Sequence, residues 1–445
     1  MPDLLKIAVA PERLDEGAPE ERATFGLFSI RAGEAVLTEG YDTFVSARRE
    51  GPLVSAYHAA EWFAWNWWRL RWEPRSQAPD WWRAHKMTAI GEGYAWPVIT
   101  IFSDGIMTAL LSDASARPDA KPFRYYGAHA CVVPSTAFEG ALDTFIAQVQ
   151  ERLRNQGVRE TNLDRLWRDL MTERRDPSLA LRRKFEALLG VEPDEGDPEV
   201  LAQMERDAEA LGQDAIEEIA AGHHGHHGDH GDKKVTTAVE MREIAQTKGV
   251  DGLAGSAVRL GGDVRPSPLA NEPAWQLGKR FAEALREQEH LAGEPVSDAR
   301  LSEMADVPIA LLGRDGSRAH LSFVLEEKAG ACRVVLRSRW DTGRRFDLAR
   351  LLGDRLMNAA HNEHLYPATR AYTYRQKAQR AFAAEFLAPF SKVDAMLEDD
   401  YSDENRQEEV AEHFQVSPKT IHTLLVNHHR LERDGLGYDF DVAVA

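Results

Sequence analysis

The segment from Ala221 to Lys234 reads AGHHGHHGDHGDKK and places a glycine at every third position. Glycine loses more conformational freedom on ordering than any other residue, so a tract of this kind disfavours both helix and strand. The sequence therefore predicts a flexible loop or linker over residues 221–235, and the chain on either side of it must build separate cores.

A chain of 445 residues is long for a single hydrophobic core, which also favours at least two domains. We predict an aromatic-rich α+β domain over residues 1–155, a helical extension over 156–220 and a second domain over 236–445. The fold class predicted for the whole chain is α+β, with a mixed N-terminal domain and a mainly helical C-terminal domain that carries a small sheet.

Short apolar runs separated by turn residues indicate strands in the first domain. LFSIRAGEAVL predicts a strand, a turn and a second strand, and WPVITIF-SDG-IMTALL predicts a hairpin. Ser135–Arg154 has helical periodicity behind Ser and Thr residues that are candidate caps. Three further apolar periodic runs predict a wholly helical region over residues 160–220.

Eight of the 11 tryptophans lie between Trp62 and Trp96. If the segment is one helix, Trp62, Trp65, Trp68 and Trp72 share a face, which is typical of a buried core. Aromatic area beyond one face would instead suit a partner surface or a stacked base, with Trp65 and Trp68 as the contact residues. The domain also contains dispersed polar candidates whose spacing is not diagnostic: His58, Glu61, His85, Asp104 and His129.

Behind the tract, Ala274–Leu285 and Asp298–Met304 predict helices. IALLG, HLSFVLEE and CRVVLRSRW predict strands, and the chain reads as helical again from Arg345. Helices, a small sheet and a long helix therefore follow one another in the C-terminal domain.

Two runs in this domain, RRFDLARLLGDRLM and QKAQRAFAAEFLAP, together resemble the ImmA/IrrE-type zincin-like metallopeptidases. The resemblance covers roughly residues 270–430. Members of that family carry RRFTLAHELGH at the first run, and an acidic third ligand ahead of an A-x-x-F-A-A segment that ends in Pro at the second. The resemblance implies a zincin-like fold.

The residues that perform the chemistry in that family differ here. Arg350 and Asp354 stand where the two zinc-binding His residues would be, and Leu351 stands where the general base would be. The third-ligand region offers only Gln376, Lys377 and Ala378. A guanidinium does not bind a cation and Leu cannot accept a proton, so no catalytic residue is predicted; Arg350 and Asp354 would form a surface ion pair at i and i+4.

Arginines surround these positions and would line or rim the remaining cleft. Arginine forks bind carboxylates and phosphates, so an acidic peptide, a nucleotide or a nucleic-acid backbone would suit such a cleft. The alternative is internal pairing with Asp341, Asp347, Asp354 and Glu363. The candidate ligand-binding residues are Arg344, Arg345, Arg350, Arg355, Arg375 and Arg380.

Two sets of histidines are candidate metal ligands. HNEH at His361–His364, with Asp354, would form a displaced metal site, or else a polar helix end or loop before Tyr366. The His-rich tract would bind zinc or nickel only adventitiously, and no cofactor is expected. Its candidate ligands are His223, His224, His226, His227 and His230.

EEVAEHFQVSPKTIHTLLVNH, at Glu408–His428, matches a helix-turn-helix pattern, with Ser417 and Pro418 at the start of the second helix. If the second helix bound DNA, its contacts to the DNA would come from Lys419, Thr420, Thr423 and Asn427. The acidic first helix favours a structural or protein-binding use instead.

The net charge of −18 opposes non-specific binding to nucleic acid or to an anionic membrane. Two cysteines, no long apolar run and no signal-peptide pattern favour the cytoplasm. The residues at these positions predict a non-catalytic regulator or scaffold that binds a protein partner or acidic ligand. The family resemblance implies a bacterial role in stress response, mobile-element regulation or phage defence. Alternatives are a metal-dependent hydrolase with a shifted site, and a DNA-binding regulator.

Overall fold

The computed structural model describes residues 4–76, 78, 80–115, 122–224, 235–255, 257–261, 272–313, 319–327, 330–358 and 363–431. The chain divides into two compact units, Met1–Asp197 and Pro198–Ala445. The boundary between the units, after Asp197, lies before the glycine-rich tract 221–235 that was predicted to separate the domains. Each unit has its own sheets and helices.

The first unit is α+β, as predicted. Its strands are β1 (Leu5–Pro11), β2 (Phe25–Ala32), β3 (Ala35–Val36), β4 (Gly40–Asp42), β5 (Ala47–Arg49), β6 (Leu53–Ser55), β7 (Ile99–Ser103), β8 (Met107–Ser112), β9 (Phe123–Tyr125) and β10 (His129–Pro134). They form three small antiparallel sheets, in the orders β1-β2-β3 with β6 also on β2, β10-β8-β7, and β5-β4-β9.

The helices of the first unit pack against these sheets around a core rich in aromatic residues. They are α1 (Pro19–Thr24), α2 (Ala56–Trp65), α3 (Trp67–Trp72), α4 (Trp81–His85), α5 (Ser135–Asn155), α6 (Asn162–Arg175) and α7 (Pro177–Leu188). Side-chain caps explain where two of them begin: Thr161 accepts from the Asp164 amide at α6, and Asp176, the residue before Pro177, accepts from the Ser178 and Leu179 amides at α7.

The predicted hairpin is confirmed: β7 and β8 pair antiparallel from Ile99 opposite Ser112 to Ser103 opposite Thr108. The predicted helix from Ser135 is also confirmed, but its predicted cap is wrong. The Ser135 hydroxyl makes buried hydrogen bonds with Ser103 and Thr108 and caps no amide. It joins the helix to the hairpin instead.

The tryptophan face is interrupted, contrary to the single helix assumed from the sequence. Helix α2 ends at Trp65 and α3 begins at Trp67. Asn66 lies between the two helices, and its side-chain amide donates to the Trp62 carbonyl at 2.8 Å. After this break the residues facing the core change, so Trp67 and Trp68 are both buried while Trp65 is 56% exposed. Most of the cluster is therefore core, and Trp65 is not.

The second unit is mainly helical with one small sheet, as predicted. Its helices are α8 (Pro198–Leu211), α9 (Gln213–His224), α10 (Ala238–Lys248), α11 (Ala274–Gln288), α12 (Asp298–Met304), α13 (Asp341–Met357), α14 (Tyr374–Leu387), α15 (Phe390–Leu397), α16 (Glu404–Phe414) and α17 (Pro418–Asn427). Its strands are β11 (Val250–Asp251), β12 (Ser322–Glu326), β13 (Cys332–Val335) and β14 (Leu365–Ala368), in the antiparallel order β11-β13-β12-β14.

Helices α8 and α9 belong to this second unit and not to a helical extension of the first. The Asp207 carboxylate of α8 accepts from the Ala238 amide at 2.9 Å, and the Leu211 carbonyl accepts from the His364 amide at 3.0 Å. Helix α9 also continues into the first residues of the His/Gly-rich tract, so the loop predicted from Ala221 is wrong up to His224. Packing of α9 outweighs the glycine at position 222.

Close packing of α13 and α11 against α14 depends on two glycines. A Cβ at Gly278 would lie 2.3 Å from the Ala378 carbonyl oxygen, and a Cβ at Gly353 would lie 2.3 Å from the ring of Phe382. Both distances are far inside van der Waals contact. Gly353 and Phe382 lie in the two runs that carry the family resemblance, whereas Gly278 lies outside them. All three residues contribute to packing.

Two predicted elements of the second unit are wrong. IALLG forms a 3-10 turn, Ile309–Leu311, and not a strand. The chain was expected to be helical from Arg345 onward, yet Leu365–Ala368 form β14, which pairs with β12. The described residues just before it, Glu363 and His364, belong to no helix or strand, which is consistent with the loop considered there. Both errors have one cause, because short apolar runs do not distinguish a strand from other buried backbone.

The predicted C-terminal helix pair is confirmed. Gln415 ends α16 in the left-handed conformation, with φ of 55°, where glycine is more usual. Ser417 caps α17 by accepting from the Thr420 amide, and Pro418 occupies the first turn. Across the described ranges, we find no helix whose length and apolarity would let it cross a membrane.

Candidate functional site

Helix α13 holds the three positions at which the resemblance would place catalytic residues. Leu351 is part of the hydrophobic core, while Arg350 and Asp354 are buried with exposures of 4% and 0%. The predicted surface ion pair between Arg350 and Asp354 is wrong, because each side chain turns to different partners. The Arg350 guanidinium and the Asp354 carboxylate are therefore both buried, and each has its own set of partners.

Arg350 points toward the segment that joins β14 to α14. Its Nη2 donates to the Thr369 carbonyl at 2.8 Å and to the Oε1 atoms of Gln376 and Gln379 at 2.6 and 3.3 Å. Its Nε atom is buried and has no hydrogen-bond partner in the described chain. Burial, followed by the charge of Arg380, lowers the pKa of Arg350 to about 9.

Asp347 is the carboxylate next to Arg350. Its Oδ1 lies 3.8 Å from Arg350 Nη1, and its Oδ2 lies 3.8 Å from Arg337 Nε. Both distances exceed hydrogen-bond range, and Oδ2 accepts instead from the Ser322 hydroxyl at 2.7 Å. One carboxylate thus stands between two arginines without binding either closely.

Arg337 Nε is a second buried donor with no hydrogen-bond partner in the part of the chain described here. The backbone amide of Arg337 donates to the same Ser322 hydroxyl at 2.9 Å, which fixes this residue beside Asp347. Unpartnered guanidinium donors are costly to bury, and two of them beside one carboxylate require a physical explanation.

Two further arginines complete the group. Arg380 Nη1 donates to the Ala371 carbonyl at 2.9 Å, so Arg350 and Arg380 hold the backbone on either side of Arg370. Partial desolvation, followed by the charge of Arg337, lowers the pKa of the exposed Arg370. We call Arg337, Arg350, Arg370 and Arg380 the arginine cluster.

A separate buried network surrounds Arg375 on the first turn of α14. Arg375 binds both oxygens of Asp354, at 2.9 and 2.8 Å, and donates to Glu363 at 3.2 Å. Glu218 of α9 lies close enough for its charge to act on Arg375, and it accepts from the Thr373 hydroxyl at 2.6 Å. We call these four charged residues the Arg375 network; three carboxylates share one guanidinium in it.

Glu218 has an unusual protonation equilibrium in this network. Burial raises the pKa of its carboxyl to about 7, and Arg375 and the Thr373 hydrogen bond oppose that shift only partly. Burial also raises the pKa of Glu363. The network therefore gains and loses a proton near neutral pH.

The remaining predicted arginines are engaged within the fold. Arg344 donates to the Leu312 and Arg339 carbonyls and pairs with Asp341, and Arg345 donates to the Val296 carbonyl and pairs with Asp298. Arg355 lies over the ring of Tyr366 and contacts the thiol of Cys332. The internal pairing considered as the alternative is thus the state of Arg344 and Arg375. Arg345 is also paired internally, but with Asp298, which the sequence analysis did not consider, and Arg350 and Arg380 join the cluster.

The residues of the displaced metal site do not converge among the described atoms. Both Asp354 oxygens are occupied by Arg375, and one of them also accepts from Asn358 at 2.8 Å. A search of the described residues finds no group of three His, Cys, Asp or Glu that could hold a metal ion. His361, His226, His227 and His230 lie outside the described residues, whereas His364 is exposed and His223 and His224 end α9.

Of the four candidate DNA contacts on α17, only Lys419 is exposed. Thr420 is buried, and its hydroxyl lies 3.0 Å from that of Ser417. Thr423 and Asn427 are half-buried. This surface presents little for reading base edges in a groove.

The polar candidates of the first unit serve local structure. His58 Nε2 lies 3.1 Å from Glu21, Glu61 accepts from the Tyr57 hydroxyl at 2.7 Å, and Asp104 accepts two turn amides of the β7–β8 hairpin. His85 is fully buried between the Ile101 carbonyl and Glu73, with Trp81 stacked on its ring at 4.0 Å. His129 is exposed on β10.

Trp68, a candidate contact residue, is instead part of the core, and its indole nitrogen donates to Glu173 at 2.7 Å.

Sequence reasoning missed three residues that the structure brings to these sites. Arg370 follows a strand that was not predicted, Arg337 lay in the predicted strand run CRVVLRSRW and was not a site candidate, and Glu218 lay in a helix assigned to the helical extension of the first domain. The available signal was the density of arginine on both sides of the two family-like runs. It indicated a basic site without indicating which guanidinium groups meet.

Comparison with protein-family models, with curated proteins and with solved structures finds no match for this chain. The resemblance to ImmA/IrrE-type peptidases therefore remains a prediction that rests on the two runs of residues quoted above.

Proposed function

We propose that the second unit is a non-catalytic binding domain that recognises an acidic ligand, or an acidic group on a protein partner, through the arginine cluster. The observation that carries this proposal is that Arg337 and Arg350 each have a buried Nε donor without a hydrogen-bond partner in the described chain, while the one carboxylate beside both arginines, Asp347, lies 3.8 Å from Arg337 Nε and 3.8 Å from Arg350 Nη1. An anion would satisfy both donors. Following the resemblance, we propose a regulatory role in bacterial stress response, mobile-element regulation or phage defence.

Two residues of α13, Leu351 and Asp354, support the proposal that the domain does not catalyse a reaction. Leu351 cannot act as a base where the family-like pattern would place one, and Asp354 is held by Arg375 in a bidentate pair.

Two exposed apolar side chains, Trp340 and Ile309, lie on segments that Arg344 contacts, and they support a protein partner. Trp340 is 67% exposed and Ile309 is 55% exposed. Arg344 fixes their segments beside each other, since it donates to both the Leu312 and Arg339 carbonyls. An aromatic and an aliphatic anchor next to arginine are typical of the central part of a protein interface.

The test is isothermal titration calorimetry of the full chain with poly-L-glutamate at low ionic strength. Arg370→Gln removes an exposed member of the cluster, and Arg333→Gln is its matched control because it removes the same charge from a residue on β13 paired with Asp251. We expect Arg370→Gln to weaken binding about tenfold, the loss of one charge-assisted contact, and Arg333→Gln to change it little. Equal effects of the two variants, or no binding at all, would overturn the proposal.

A further inference from the structure

We infer that the group bound by the arginine cluster is a phosphate dianion, either free or as a phosphate monoester. This inference rests on the proposed function and narrows it from acidic ligands in general to one chemical class. It depends on the number of charges at the site, on the donors left open and on how the guanidinium groups are held.

The charge at the site favours a dianion over a monoanion. The four arginines of the cluster with the carboxylate of Asp347 carry a formal charge of +3. A carboxylate ligand would leave two of these positive charges uncompensated, whereas a phosphate dianion would leave one. Compensation is important where a guanidinium is as buried as that of Arg350.

The donors are also suited to an acceptor with several oxygens. The open Nε atoms belong to two different arginines, Arg337 and Arg350. Arg337 approaches Asp347 Oδ2 with this Nε atom, and Arg350 approaches Oδ1 with its Nη1. A planar carboxylate has two oxygens for these donors and Arg370, whereas a phosphate has three or four, spread in a tetrahedron. Arginine forks bind phosphate oxygens in this way.

Arg350 is held in place before any ligand arrives. Its Nη2 is fixed by the Thr369 carbonyl and the two glutamine side chains, so binding would not require ordering of this long side chain. Both glutamines are themselves fixed, since Gln376 and Gln379 donate to the Pro367 carbonyl at 3.0 and 3.1 Å. A rigid donor of this kind is a feature of binding sites more than of surface ion pairs.

Access to the cluster follows the burial of its members. Arg350 is buried, the Arg337 side chain is 24% exposed and Arg370 is exposed. A phosphate would therefore meet Arg370 first, and a monoester would keep its organic group on that side. The lowered pKa of Arg350 is consistent with this arrangement, because an anion offsets the burial and like-charge repulsion that cause it.

The experiment is calorimetric titration of the full chain with inorganic phosphate and with phenyl phosphate, between pH 5.5 and 7.5, with acetate as the carboxylate. Sulfate is the control for protonation of the protein, because its charge is constant over this range while Glu218 of the neighbouring network titrates. A monoester becomes dianionic with a pKa of about 6. We expect phenyl phosphate to bind more tightly as the pH rises, relative to sulfate, and acetate to bind at least tenfold more weakly.

Arg337→Gln and Arg370→Gln should each weaken phosphate binding about tenfold, while Arg333→Gln should not. Tighter binding of phenyl phosphate than of inorganic phosphate would identify a monoester as the ligand class, and the reverse would identify free phosphate. Binding of poly-L-glutamate without either phosphate would overturn this inference and leave the proposed function standing. Binding of neither would overturn both, and phosphate binding insensitive to both cluster variants would assign it to another surface and refute the inference.

Discussion

Arg375 binds Asp354 through two hydrogen bonds, from Nε to Oδ1 at 2.9 Å and from Nη2 to Oδ2 at 2.8 Å. Asp354 stands where the family-like pattern would have its second zinc-binding His. Both oxygens of this carboxylate therefore accept hydrogen bonds from one guanidinium, which also supplies its positive partner.

Replacing Arg375 with Ala should destabilise the second unit by about 3–5 kcal/mol, because the carboxylates of Asp354 and Glu363 would remain buried without their cation. The measurement is urea denaturation followed by circular dichroism. Arg430→Ala is the control: its pair with Asp394 lies at the protein surface, and its loss should cost far less than the loss of Arg375. Equal costs would contradict a buried network around Arg375.

Glu218 should make stability depend on pH. Its pKa is about 7 in the folded chain and 4.5 as a free side chain, so folding favours the protonated form. That contribution is complete below pH 4.5 and is lost as the pH rises toward 7. We therefore expect Glu218→Gln to gain stability relative to the wild type by roughly 3 kcal/mol between pH 4.5 and 8, since Gln has no carboxylate to ionise.

The comparison of Glu218→Gln with the wild type removes the background from Glu385, whose pKa burial also raises to about 7. Urea denaturation of both proteins at half-unit pH intervals measures the difference directly. A constant difference across the range would contradict the assigned shift of Glu218.

The two tryptophans singled out as candidate contacts should behave oppositely. Trp68 is 5% exposed and donates to Glu173, so Trp68→Ala should destabilise the first unit by about 3–5 kcal/mol. Trp65 is 56% exposed, and Trp65→Ala should change stability by no more than about 0.5 kcal/mol. Thermal unfolding of both variants tests this, and a large loss at Trp65 would contradict the break at Asn66.

The elements that the sequence predicted well are those with strong local periodicity. The β7–β8 hairpin, helices α5 to α8 and the C-terminal helix pair repeat apolar residues at the period of their structure and carry recognisable turn or cap residues. The short strand β14 and the 3-10 turn Ile309–Leu311 have no such signal. Their conformations depend on which neighbour they pack against.

The sequence by itself determined that the chain is α+β and that Arg350, Leu351 and Asp354 cannot form the zinc site of the pattern they resemble. Residue type alone fixes that chemistry. Only the tertiary structure decided the partners of each charge: Arg375 for Asp354, and Arg337, Arg370 and Arg380 for the surroundings of Arg350. Charge pairing between segments depends on distances across the fold, and burial sets how strongly each pair interacts.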